Sequence, residues 1–102
     1  MLHLIVATHS PEACPMVNLK AREKFVPKLK KLEALAKPLD ITVQGAWTDI
    51  VSHKIYIIVD APNAHVVSKM TMDNELAEWN RVKIRPIVTM KETLSLLDSK
   101  KS

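Results

Sequence analysis

Glycine is almost missing from this chain of 102 residues: Gly45 is the single one. Walker phosphate loops and dinucleotide fingerprints need several glycines at fixed positions, so neither can be written here. Cysteine is as scarce. With Cys14 alone, no intramolecular disulfide and no multi-cysteine zinc motif can form. Aromatic residues are limited to Phe25, Trp47, Tyr56 and Trp79. No apolar run approaches the ~20 residues of a membrane span. The opening MLHLIVATHS lacks a basic n-region and reads as a first β-strand, not a signal peptide. A reducing, cytoplasmic setting without a membrane partner is the expectation.

What is present is ordinary globular material. Apolar residues make up 47% and charged residues 25%, which suits one domain burying roughly 65% of its unfolded surface. That domain is expected over residues 1–98, with 99–102 a frayed tail. Net charge is +4, and the excess is local. Between Leu19 and Lys37 lie Lys20, Arg22, Lys24, Lys28, Lys30, Lys31 and Lys37, against Glu23 and Glu33. This run reads as the solvated face of an amphipathic helix, since lysine is ordinarily a surface residue. The alternative is a nucleic-acid footprint or an acidic protein partner.

Patterning gives the element order. Leu2–Thr8 is aliphatic and short, a strand. Ser10-Pro11-Glu12 has the order of an N-cap and first helical positions, limited to one turn by Pro15. Asn18 is the next N-cap, opening a helix to Lys37 with Phe25, Leu29, Leu32 and Ala36 at helical spacing. Pro27 kinks that helix or lies near the start of its main part. Ile41–Asp49 alternates as a half-buried strand, with Gly45 marking a bulge or a close backbone approach. After a short turn, Lys54–Asp60 is an almost wholly apolar strand. A helix after Pro62 carries Val66, Val67 and Met70, then Leu76 and Trp79, with Asp73-Asn74 as a break. Arg81–Val88 is the last strand, placed at an edge or on a bulge by Pro86. Thr89 and Glu92 fit a capping box for a terminal helix to about Asp98.

The expected class is therefore α+β, a ferredoxin-like βαββαβ order plus a short C-terminal helix. Two helices cover one face of a four-stranded sheet. Yet the first and third strands are apolar on both parities, with Leu2, Leu4 and Val6 beside Ile5 and Ala7, and Tyr56 and Ile58 beside Ile55, Ile57 and Val59. A bare second face would be a large apolar patch, which soluble monomers rarely carry. A second copy of the chain across a two-fold axis is the expected cover.

The element order, the size and the segment Thr8–Pro15, His-x-Pro-Glu-x-Cys-Pro after the first strand, resemble the dimeric α/β-barrel superfamily and small members of it with no assigned activity. The resemblance implies two protomers pressing their sheets into one barrel and a pocket between sheet and helices. Relatives include cofactor-free monooxygenases, haem-degrading enzymes, an isomerase and ligand-sensing domains, so the resemblance leaves the reaction open.

Several residues have chemistry to offer. His9 follows the first strand and Cys14 lies in the next turn. A histidine beside a cysteine suits a nucleophile, a redox centre or a soft metal ligand. The competing reading is a small buried hydrophobe and a hydrogen-bonded strand-end histidine. His9 and Cys14 are the candidate catalytic pair, and with one further histidine a candidate metal site for zinc, copper or nickel. No cofactor is required by the sequence. His3 shares strand parity with His9, His53 in the hairpin turn reads as solvated, and His65 reads as a pocket-rim residue. Trp47 and Tyr56 are the candidate ligand-binding aromatics, or core plugs. Glu12 is a possible base near His9 or a helix-dipole partner. An RNA-recognition platform is rejected, because the first strand has no aromatic and the third only Tyr56. Three functions result: a homodimer binding, and in one version transforming, a small apolar ligand; a metal- or thiol-dependent role through His9 and Cys14; and a regulatory partner-binding module.

Overall fold

Alternation of aliphatic residues sets the centre of the molecule. In the computed structural model, which describes residues 1–100, β1 (Leu2–Thr8) pairs antiparallel with both β3 (Lys54–Asp60) and β4 (Arg81–Ile87). The outer strand β2 (Thr42–Asp49) joins β3, giving a four-stranded antiparallel sheet of order β2-β3-β1-β4. The helices are α1 (Leu19–Lys30), α2 (Leu32–Ala36), α3 (Ala64–Asp73), α4 (Leu76–Trp79) and α5 (Met90–Ser99). The architecture is mixed α+β, and the strand order fits the split βαβ arrangement expected.

Period-2 alternation divides the sheet cleanly. On one face Ile5, Ala7, Ile55, Ile57 and Val59 are buried against Leu32, Ala36, Val67, Met70 and Leu76 from the helices. Each fully buried Ile, Leu or Met there contributes about 1.5–3 kcal/mol relative to exposure. The other face carries Leu2, Leu4 and Val6 opposite Tyr56 and Ile58 on one side and Lys83, Arg85 and Ile87 on the other. The shortest dimension of the molecule is 18 Å, the thickness of one sheet and one helix layer.

Local rules account for the element ends. Asn18, Asn63 and Thr89 each accept a hydrogen bond from the backbone N–H three residues on, at 2.9, 3.0 and 3.0 Å, the three N-caps of the longer helices. Pro27 lies inside α1, and the expected single helix breaks four residues later at Lys31 into α1, α2 and a 3-10 turn, Lys37–Leu39. A proline's missing N–H and crowding act on the turn before it, and that turn stays helical. The interruption lies at Lys31 itself, where φ of -97° and ψ of 9° leave the helical region. The lysine run is outward-facing, with only Lys28 half-buried.

Gly45 marks a bulge, with the β2–β3 register shifting between Val43 and Gly45. A Cβ there would lie 2.5 Å from Cη2 of Trp47, so the indole lies over the glycine. Pro86 sits on an edge strand, where a missing donor costs least. Residues 11–17 form turns, not a helical start. Pro15 disfavours helical backbone at Cys14, and Ser10 caps only a turn, its Oγ accepting from the Ala13 N–H at 3.2 Å. Helix α5 runs one residue beyond the expected end, and the last two positions of the expected tail, 101–102, lie outside the described residues.

Candidate functional site

The end of β1 delivers His9 to the rim between sheet and helices, and the turns that follow fold Cys14 back beside it. Those turns are held by local hydrogen bonds. The carbonyl of Cys14 accepts from Val17 and Asn18 at 3.0 and 2.8 Å. The Asn18 amide donates to the Glu12 carbonyl at 3.0 Å. Arg22 reaches back from α1, its Nε donating to the Pro15 carbonyl at 2.9 Å and its Nη2 to that of Met16 at 3.0 Å. One residue of the basic run thus acts as a brace for the Cys14 loop.

The β2–β3 hairpin supplies a third side chain. Asp49 accepts from the Ser52 N–H at 3.1 Å, and this hydrogen bond holds the Asp49 carboxyl below its ordinary pKa. The turn ends at His53, whose φ of 55° lies in the left-handed region. That conformation costs a non-glycine residue about 1 kcal/mol and suits histidine better than bulkier types. It turns the His53 carbonyl toward His9, whose N–H donates to it at 3.1 Å. The expectation that His53 is solvated is corrected: it is half-buried, its ring 5.6 Å from that of His9. A strand parity argument has no means of foreseeing this, because a turn residue with positive φ leaves the alternation.

His9, Cys14 and His53 each present one donor atom, and the three lie within 4.8 Å of one another. Cys14 is buried. Nδ1 of His9 is 2.9 Å from Oδ1 of Asn80. The Asn80 Nδ2 donates to the Leu76 carbonyl at 3.1 Å, which fixes Oδ1 as the atom facing the histidine. In the neutral ring the His9 proton is therefore placed on Nδ1, which leaves the lone pair on Nε2. That Nε2 and the Nδ1 of His53 are both buried without a hydrogen-bond partner. Buried ring nitrogens are normally paired, and these two have no partner within the described residues. Metal–ligand bonds of about 2.0–2.3 Å put tetrahedral donors roughly 3.5 Å apart, within reach of small side-chain rotations from the present spacing.

A cavity of about 230 Å³ opens on this cluster, walled also by Val26, Leu29, Ile50, Ile55 and Trp79. Trp79 lies 4.9 Å from His9 and stacks on Phe25 at 5.1 Å. Beside that stack, Lys24 of α1 donates to Glu78 of α4 at 2.6 Å. This hydrogen bond, with the Glu78 charge, raises the Lys24 pKa.

The remaining candidates lie elsewhere. Trp47 and Tyr56 are cross-strand partners, as Trp47↔Tyr56, on the face away from the helices, and neither lines the His9 cavity. For Trp47 the Gly45 bulge decides this by resetting the parity of β2, whereas Tyr56 follows the unbroken alternation of β3. His65 is exposed near the start of α3, beyond the opposite end of β1, so it is not a rim residue of this cavity. Glu12 is exposed and is likewise not among the cavity walls. His3 is buried, with Nδ1 3.2 Å from the Met1 carbonyl. Asn80 escapes a sequence reading, and Arg22 reads there only as part of the solvated basic face, since neither shows a motif that ties it to His9 or to the Cys14 loop.

Fold and site together define a small α+β domain with a His-Cys-His cluster at one end of its sheet. The chain belongs to the family described as "Domain of unknown function (DUF3303)", whose model matches residues 3–101. No curated protein matches it significantly. Among solved structures it is similar to SCO4226 from Streptomyces coelicolor A3(2), with a TM-score of 0.52 and 17% identity over 85% of this chain and 99% of that one. At that identity the likeness concerns the fold. No helix of the described residues is long and apolar enough to cross a membrane.

Proposed function

We propose that this chain is a homodimeric transition-metal-binding domain of the ferredoxin-like, dimeric α/β-barrel type, holding one ion per chain between His9, Cys14 and His53. The observation that carries the reading is the clustering of one donor atom each from His9, Cys14 and His53 within 4.8 Å, in which the thiol is buried and each histidine has a buried ring nitrogen without a hydrogen-bond partner. Asn80 supplies what metal-bound histidines ordinarily have, an acceptor on the opposite ring nitrogen. A thiolate with two imidazoles suits borderline and soft ions. A reducing, cytoplasmic setting would keep Cys14 as a thiol.

Titration of the metal-free protein with cobalt(II) tests this. One equivalent per chain is expected, with a thiolate charge-transfer band, and Cys14→Ala and His9→Ala are expected to lower affinity at least ~100-fold while keeping a folded circular-dichroism spectrum. Absence of saturable binding, or binding indifferent to both substitutions, would overturn it.

The apolar cavity wall supports a second reading, a small apolar ligand held against the same cluster. Native mass spectrometry of the purified protein would reveal such a ligand as a retained organic mass.

Dimerisation is supported by the uncovered sheet face, where Leu4, Val6, Tyr56 and Ile58 form an apolar centre and Trp47 is 56% exposed. Helix α5 adds Met90, Leu94 and Leu97 on one stripe, each more than half exposed. Surface of this kind is rare on a stable monomer. Sedimentation should give a dimer at micromolar concentration, and Ile58→Glu, which puts a charge in the centre of the face, should give a folded monomer. A wild-type monomer would remove the barrel reading and leave the metal site standing.

A further inference from the structure

We infer that the ion this site selects is copper as Cu(I), with the thioether of Met16 as a fourth donor. The inference rests on the metal-binding reading above and adds which ion is held and what chooses it.

Charge gives the first reason. A Cys14 thiolate carries one negative charge and neutral His9 and His53 carry none. A monovalent cation makes the assembly neutral, whereas a divalent one leaves a net positive charge. The cavity wall contains no carboxylate to answer that charge. An unpaired charge in an apolar surrounding is costly. Softness gives the second, since thiolate and thioether donors favour Cu(I) while carboxylate and carbonyl oxygens favour harder ions.

Met16 supplies the third reason. It stands two residues after Cys14, lines the same cavity, and is nevertheless 62% exposed. Its side chain is thus not held in the packed core, and its thioether is available at the edge of the cavity. Arg22 holds the Met16 carbonyl at 3.0 Å, so the backbone is braced while the flexible side chain stays free to turn inward over the cluster. No covalent or redox step is involved. The thiol proton is released to solvent as the ion binds.

The test is chelator competition on the purified protein under anaerobic conditions, with Cu(I) against a chromogenic Cu(I) chelator and zinc(II) against a zinc chelator. Cu(I) is expected to bind at least ~100-fold more tightly than zinc. Met16→Leu keeps the volume and apolar character and is expected to lower Cu(I) affinity about tenfold while moving zinc affinity by less than about twofold. Zinc bound as tightly as Cu(I), with dependence on Cys14 and His9, would overturn the copper assignment and leave the metal site intact. Equal effects of Met16→Leu on both ions, or none on either, would overturn the four-donor set. Loss of dependence on Cys14 and His9 for every ion would overturn both readings.

Discussion

His3 and His9 sit at opposite ends of the same stretch of chain, on the same parity, and their surroundings make them different residues. His3 is 1% exposed and its Nδ1 finds the Met1 carbonyl, with Pro86 and Val59 opposite it on the neighbouring strands. His9 is engaged by Asn80 at one nitrogen, its other nitrogen is buried without a partner, and the residue clusters with Cys14 and His53. A histidine closed in by strand neighbours is packing. A histidine with one nitrogen satisfied and one unpartnered has a donor to spare, which is what the proposed metal site would use.

Alanine at each position should separate these roles most sharply. His9→Ala is expected to lose metal affinity at least ~100-fold at little cost in melting temperature. His3→Ala is expected to leave metal affinity unchanged and to destabilise the fold by about 2–3 kcal/mol, the range for emptying a buried site. Calorimetric metal titration and thermal melts on the same samples check both, and a reversed pattern breaks the contrast.

A smaller effect belongs to the partner of His9. Asn80→Ala removes the acceptor that fixes the ring, and metal affinity should fall about 10–100-fold because both tautomers and ring orientations become available. Asn80→Asp retains an acceptor and should recover most of that loss. If the asparagine only packs, the alanine variant will melt lower and bind metal normally.

The smallest effects concern the frames around the two ends. Asn18→Ala removes the cap of α1 and should cost about 1 kcal/mol in chemical denaturation. It also releases the Glu12 carbonyl, so the Cys14 loop should exchange its amides faster. For Asp49 the sign follows from its lowered pKa. The carboxylate lends stability at pH above the ordinary carboxylate range and loses it as the pH falls through the lowered value. Asp49→Asn should flatten that acid branch slightly, detectable as a smaller drop in melting temperature between neutral and acid pH.

Much of the framework was legible in the residues. The strand spans of β1, β3 and β4, the caps at Asn18 and Thr89, the bulge at Gly45 and the edge position of Pro86 all follow from period, chemistry and breaker residues. The nearness of His9 and Cys14 was legible for the same reason, since five residues folded into turns keep two side chains close. Other features were not. The break at Lys31 has no proline or glycine of its own to announce it, and Trp47 reads as a pocket residue because a bulge changes parity without changing composition.

The sequence by itself determined the alternation, most of the caps, the breakers and the presence of a single thiol close after His9, because these are local properties of residue type and spacing. Only the tertiary structure decided that His53 joins His9 and that Asn80, 71 positions away, holds it. Such meetings depend on antiparallel pairing and on one turn residue at positive φ, and neither is written in any short stretch of the chain.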